Sequence, residues 1–257
     1  MLNHKNTVVV FIIILIGLIG LNYVYSIHWT WFVIAVLFFL SIEFYGAYFV
    51  GSGFHIKTIN SIRTNEKVVA LTFDDGPIEQ RTENILTVLN KFNAKATFFY
   101  IGKRIEGNEY LLKKIYERGH LIGNHSYSHS NFFDLMTTRQ MVNDLEKGNQ
   151  EIEKVIKKTP LFFRPPYGVT TPALLRACKK LNFDVIGWNI RSFDTSIKNK
   201  DEVIERVIKR IKPGSVLLFH DTVEGIEIIL EHILNYLKQN NYTVVELDKL
   251  IQRKAYA

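Results

Sequence analysis

Hydrophobic and polar positions follow two regimes along this chain, and the change comes near residue 50. Between residues 6 and 42 there is no Lys, Arg, Asp or Glu, and apolar residues run on without a period. Two blocks stand out there, 8–21 and 29–50, separated by the more polar stretch 22–28. From about residue 66 the pattern becomes periodic. Short β-branched or aromatic runs occur at 68–73, 96–101, 120–123, 161–164, 184–190, 215–219 and 242–247. Between them lie longer stretches of helical period, rich in Leu, Ile, Lys and Glu.

A bilayer span needs about 20 mostly apolar residues. The second block meets that length with Glu43 as its only formal charge. The first reaches it if Asn22–Ser26 lies at an interface, where tyrosines are favoured. Lys5 precedes the first block as in a signal peptide, but no small-x-small cleavage site follows it and a second apolar block comes at once. Residues 1–50 are therefore expected to form a membrane anchor, a helical hairpin of two transmembrane helices. Residues 51–66 are expected to be a linker and 67–257 a catalytic domain.

Seven strands alternating with about six helices indicate a parallel, right-handed α/β arrangement. Helix boundaries carry chemical signals too. Thr137 with Gln140 makes a capping box, Thr171-Pro172 sets a cap before a first-turn proline, and Gly119 caps a helix ending near Arg118. Polar residues of unusual chemistry fall at the ends of several different strands. A barrel brings such ends to one face, so a barrel is expected over a doubly wound sheet.

The formal net charge of +7 permits attraction to anionic lipid or an acidic polymer. No basic-aromatic run has the form of a nucleic-acid module. Cys178 is the only cysteine, so no intrachain disulfide can form. The loop between the apolar blocks has no Lys or Arg, while Lys5, Lys57 and Arg63 flank the anchor. Those few charges lean toward a cytoplasmic domain, but long domains translocate largely regardless of charge.

The strand at 68–73 stops on Asp74 and Asp75, and Gly76-Pro77 turn the chain. Two adjacent carboxylates repel. A cation resolves the conflict if one ligates it and the other remains as a base. The third run leads into His125-Ser126-Tyr127-Ser128-His129, two imidazoles four residues apart that can aim at one point. Asp75, His125 and His129 make up the three-ligand set of a catalytic zinc site with an open fourth position; the donors also accept cobalt, nickel or manganese. The fourth run ends in Arg164-Pro165-Pro166-Tyr167-Gly168, where the prolines fix the direction of the Tyr167 N–H as an oxyanion donor. The fifth run leads through Trp188 to Arg191 and Asp194, and His220 closes the sixth.

With the segments TFDDGP, HSYSH, RPPYG and LLFH in this order, the chain resembles polysaccharide deacetylases of carbohydrate esterase family four over roughly residues 66–250. The resemblance implies a distorted (β/α)7-type barrel and metal-dependent removal of N-acetyl groups from amino sugars. It places Asp75, His125 and His129 on the metal, which lowers the pKa of coordinated water toward about 7. It makes Asp74 the general base and His220 the acid that protonates the departing amine. Asp194 then orients His220, Arg164 stands beside the base, the Tyr167 N–H meets the oxyanion, and Leu218 walls the acetyl pocket. Two positions depart from the family pattern. Arg191 stands where many relatives carry Asp, and Thr195 where they carry a pocket-walling Trp; Trp188 is a candidate substitute.

The expected substrate is an N-acetylated glycan such as peptidoglycan or a chitin-like oligosaccharide, with the membrane as a further partner. No nucleic acid or protein partner is expected. The domain is expected outside the cytoplasmic membrane, where such glycans lie. One alternative is deformylation or deacetylation of a lipid-linked amino sugar near the bilayer. Another is a non-catalytic glycan-binding relative, which would need neither Asp74 nor His220.

Overall fold

The computed structural model describes residues 3–257. Two long helices come first, α1 (His4–Tyr25) and α2 (Thr30–Tyr48). Both are long and apolar enough to cross a membrane. Phe11 and Phe39 stack between them at 4.2 Å, while side chains such as Ile13, Ile16 and Phe38 face outward. Aliphatic side chains on every face suit a helix in lipid rather than in water.

The remainder is built on one parallel sheet. Its strands are β1 (Val68–Asp74), β2 (Ala96–Tyr100), β3 (Leu121–Asn124), β4 (Phe162–Phe163), β5 (Asp184–Val185), β6 (Ile190–Arg191), β7 (Ser215–His220) and β8 (Thr243–Val244). The order across the sheet is β5-β4-β3-β2-β1-β7-β6, with β8 pairing the start of β1. Seven helices flank it: α3 (Glu79–Lys91), α4 (Glu109–Glu117), α5 (Thr138–Ile156), α6 (Pro172–Lys180), α7 (Lys200–Ile208), α8 (Ile226–Gln239) and α9 (Leu247–Ile251). The expected capping box at Thr137 and Gln140 is present, Thr171 accepts from the Leu174 N–H, and Gly119 has a φ of 79°.

Every residue of β2 and β7 is buried, which is why these runs read as continuous apolar strings rather than alternating ones. Phe73 stacks on Phe98 at 5.2 Å and packs against Phe219, joining three adjacent strands. Helix α8 lays Ile226, Ile229, Leu230, Ile233, Leu234 and Leu237 onto this core, the spacing of one helical face.

Three expectations change in detail. The run 184–190 is not one strand. It breaks at Gly187-Trp188-Asn189, so β5 ends one edge of the sheet and β6 begins the other. The four residues between them cross the gap of the barrel. Their N–H groups bond the carbonyls of Phe163, Ile59 and Val216, while Arg164 takes up the carbonyls of Ile186 and Gly187. The last run yields only β8, after which Leu247 opens a seventh helix. The expected linker is docked along the domain: Ile59 bridges to Ile186, Ser61 bridges to Ser215, and Phe54, Ile56 and Thr58 are buried.

Candidate active site

The C-terminal ends of the strands carry the reactive residues, as parallel pairing requires. Asp74 and His220 lie opposite each other in the β1–β7 register, and Asn124 pairs with Phe163 where β3 and β4 finish. A cavity of about 200 Å3 opens there. Asp74, Asp75, His125, His129, Leu218 and His220 line it, and Tyr167 and Trp188 close its rim.

Asp75 has a φ of 77°, a left-handed turn that lets the chain leave β1 and swing its carboxylate away from that of Asp74. Asp75 Oδ1 lies 3.5 Å from His125 Nε2 and 3.3 Å from His129 Nε2. It is buried and has no hydrogen-bond partner. Donor atoms bound at 2.0–2.1 Å at the corners of a tetrahedron stand about 3.3 Å apart. One orphaned carboxylate oxygen and two imidazole nitrogens at that spacing fit a small divalent cation. His125 donates its Nδ1–H to the Arg164 carbonyl at 2.8 Å, which fixes the tautomer and leaves Nε2 as the donor atom. Burial pushes the Asp75 carboxyl up, but the imidazole of His125 beside it, with His129 and His220, holds it well below the usual carboxylate range.

The loop carrying the histidines is braced from below. Asn124 Oδ1 accepts from the Ser126 N–H at 2.7 Å, and Ser126 Oγ accepts from the His129 N–H at 3.0 Å. Asp144 of α5 accepts from the N–H groups of Tyr127 and Ser128. Ser126 and His129 both have positive φ, so the two histidines sit on a tight loop and not on a helical turn.

Asp74 is gripped by Arg164, Nη1 to Oδ1 at 2.8 Å, and the same nitrogen reaches Thr72 Oγ1 at 2.8 Å. Arg164 is fully buried and does not line the cavity. Its fork thus fixes the Asp74 carboxylate while tying it to the crossing at 186–187. His220 Nδ1 meets Asp194 Oδ1 at 2.8 Å, and the His220 N–H donates to Asp194 Oδ2 at 2.8 Å. Burial pulls the His220 imidazole down, but the hydrogen bond and charge of Asp194, aided by Asp74 and Asp75, outweigh it and raise the pKa above the ordinary value. Both prolines before Tyr167 lack an N–H and that of Arg164 is spent on the Asn124 carbonyl, so the Tyr167 N–H is the next donor, and its φ of 58° turns the ring toward His129.

Trp188 lines the catalytic cavity. Its ring lies against Gly168, where an added Cβ would come within 2.5 Å. Thr195 is exposed at the rim. The sequence reading gave no role to Asp221 or Asp144. Asp221 is fully buried, accepts from Thr82 Oγ1 at 3.0 Å, and packs beneath Gly76. Burial pushes its carboxyl up to about 7. Its position directly after His220 was the available signal.

The polysaccharide deacetylase family model matches residues 61–186. A peptidoglycan-N-acetylglucosamine deacetylase of Bacillus cereus is 34% identical over 202 residues, covering 75% of this chain and 92% of that one. The peptidoglycan-N-acetylmuramic acid deacetylase PdaA of Bacillus subtilis is 31% identical over 217 residues, covering 83% and 78%. A crystal structure of a peptidoglycan N-acetylglucosamine deacetylase superposes with a TM-score of 0.73 at 33% identity, covering 77% of this chain and 94% of that chain.

Proposed function

The chain belongs to the polysaccharide deacetylase family, and from that premise we propose that it removes N-acetyl groups from the amino sugars of cell-wall peptidoglycan. The observation that carries the proposal is the presence, in one cavity, of an orphaned Asp75 oxygen between two imidazoles together with both an uncommitted carboxylate oxygen and a histidine.

Asp75, His125 and His129 would hold a divalent ion, for which nitrogen and oxygen donors favour Zn2+. Bound there, the ion supplies Lewis acidity toward the acetamide carbonyl and toward water. The rest is the work of this chain's own side chains. Asp74 takes the proton of the attacking water through Oδ2, the oxygen that Arg164 leaves free. The Tyr167 N–H donates to the carbonyl oxygen as it becomes an oxyanion. Leu218 and Trp188 wall the acetyl methyl and exclude bulk water. His220 delivers a proton to the nitrogen as the C–N bond breaks, so the amine leaves neutral. Asp194 keeps that imidazole in the right tautomer and charged enough to donate.

Helices α1 and α2 would hold this domain at the outer face of the cytoplasmic membrane, close to the glycan. Protease cleavage of the domain in intact spheroplasts supports that side, and full protection there overturns it. For the activity, zinc-loaded protein is expected to release acetate from peptidoglycan. Failure to release acetate from peptidoglycan or chitooligosaccharides would sink the proposal.

A further inference from the structure

Beside the catalytic cavity lies a second one of about 430 Å3, and the two share Tyr167, Trp188 and Arg191 as common walls. The second is completed by Tyr45 and Tyr48 of α2 on one side and by Arg206 and Arg210 on another. The arginines are organised. Arg206 Nε donates to the Arg191 carbonyl at 3.3 Å, and Arg210 Nη1 to the Arg206 carbonyl at 2.9 Å. The guanidiniums of Arg191 and Arg206 both lie on the Phe193 ring, at 4.8 and 4.3 Å.

None of the three has a counter-charge. Among the described residues, Arg164 is the only arginine within 4.0 Å of a carboxylate. Arg191 Nε is buried and has no hydrogen-bond partner. Burial, then the charges of Arg210 and Arg191, push the Arg206 guanidinium down, a sign of mutual repulsion. Like charges that converge on a cavity cost free energy until an anion joins them. Forked guanidiniums match phosphate oxygens best.

Location narrows the anion further. The Ala47 carbonyl, in the last turn of α2, accepts from the Thr170 N–H at 3.0 Å, two residues past Gly168. With α2 read as a membrane span, the cavity stands at headgroup level, where lipid phosphates lie.

We propose that this cavity binds the phosphate or diphosphate ester joining an N-acetylated amino sugar to a lipid carrier, so that the sugar's acetamide enters the adjoining catalytic cavity. The ester is held and not cleaved; only the amide is hydrolysed. The inference rests on the deacetylase reading of the catalytic cavity and on the membrane reading of α1 and α2.

The test uses the zinc-loaded full chain in phosphatidylcholine nanodiscs, titrated with farnesyl diphosphate and with farnesol, which share one tail. The diphosphate is expected to bind at least about tenfold more tightly, and the double variant Arg206→Gln/Arg210→Gln to lose about that factor. Equal binding of the two ligands, or an undiminished preference in the variant, overturns the proposal. Discs containing phosphatidylglycerol separate the phosphate sources. Displacement of farnesyl diphosphate by that lipid assigns the cavity to bulk headgroups and overturns the carrier assignment, whereas retention supports it. Acetate release from peptidoglycan and from a neutral chitooligosaccharide, neither carrying a lipid phosphate, is measured in parallel. Its absence overturns the deacetylase reading alone, because the binding comparison stands without turnover.

Discussion

Two carboxylate–histidine triads occur in this molecule, Asp75–His125–His129 at the strand ends and His4–Glu43–His55 where the helical hairpin meets the domain. By donor type they are nearly the same. Their surroundings are not. Glu43 is already satisfied, since His4 Nδ1 lies 3.0 Å from both of its oxygens. Asp75 Oδ1 is buried with nothing to bond. The strand-end triad shares a cavity with Asp74 and His220, whereas no member of the hairpin triad lines either cavity there. A ligand set is informative when its charge is unresolved and it faces a space that substrate can enter. A triad whose carboxylate is already hydrogen-bonded within the set serves instead to hold that carboxylate in an apolar setting.

This contrast can be broken or sharpened by substitution. His125→Ala has the largest expected effect, with bound metal falling from one per chain toward none by elemental analysis and acetate release disappearing. Asp74→Asn is next. It should keep the metal and lower kcat by about 10²–10⁴-fold, the usual contribution of a positioned base. Equal metal content and equal activity in these two variants would remove the distinction drawn between the adjacent carboxylates.

Asp194→Asn acts through His220 and moves the pH profile. His220 donates as the imidazolium, so activity is present below its pKa and is lost as pH rises through it. Because Asp194 raises that pKa against the opposing effect of burial, the variant's alkaline limb should shift to lower pH. A profile of kcat against pH with an unmoved alkaline limb would contradict this. Glu43→Gln closes the series with the smallest effect, metal staying at one per chain and acetate release within about twofold. A stoichiometry that falls from two to one would show that the hairpin triad also holds an ion.

Much of the strand-end site was legible in the chain because its chemistry sits in short, ordered segments. Asp74, Asp75, the two histidines and His220 each follow an apolar run, and a parallel barrel turns such positions into one mouth. Asp194 was readable only through the family resemblance, since nothing in its own neighbours points at His220. The break between Val185 and Ile190 was not legible, because the composition of 184–190 is that of a buried strand throughout. A distant guanidinium takes the carbonyls of Ile186 and Gly187, and Ile59 from another segment takes the Gly187 N–H. Asp144 was hidden for a related reason. It lies in mid-helix, and its partners are the N–H groups of a loop 16 and 17 residues earlier. Such contacts depend on how α5 packs, which local spacing does not encode.

The crossing at 186–187 and the carboxylate of Asp74, the proposed base, hang from one side chain, and this has a bearing on quality control. A copy of the protein whose seam has not shut leaves Arg164 without its two carbonyl anchors, and the carboxylate it steers is then unaimed. Immature molecules would therefore be silent rather than indiscriminate. A lysine at this position could preserve charge toward Asp74, but one ammonium cannot also span the Ile186 and Gly187 carbonyls, so closure and reactivity would come apart.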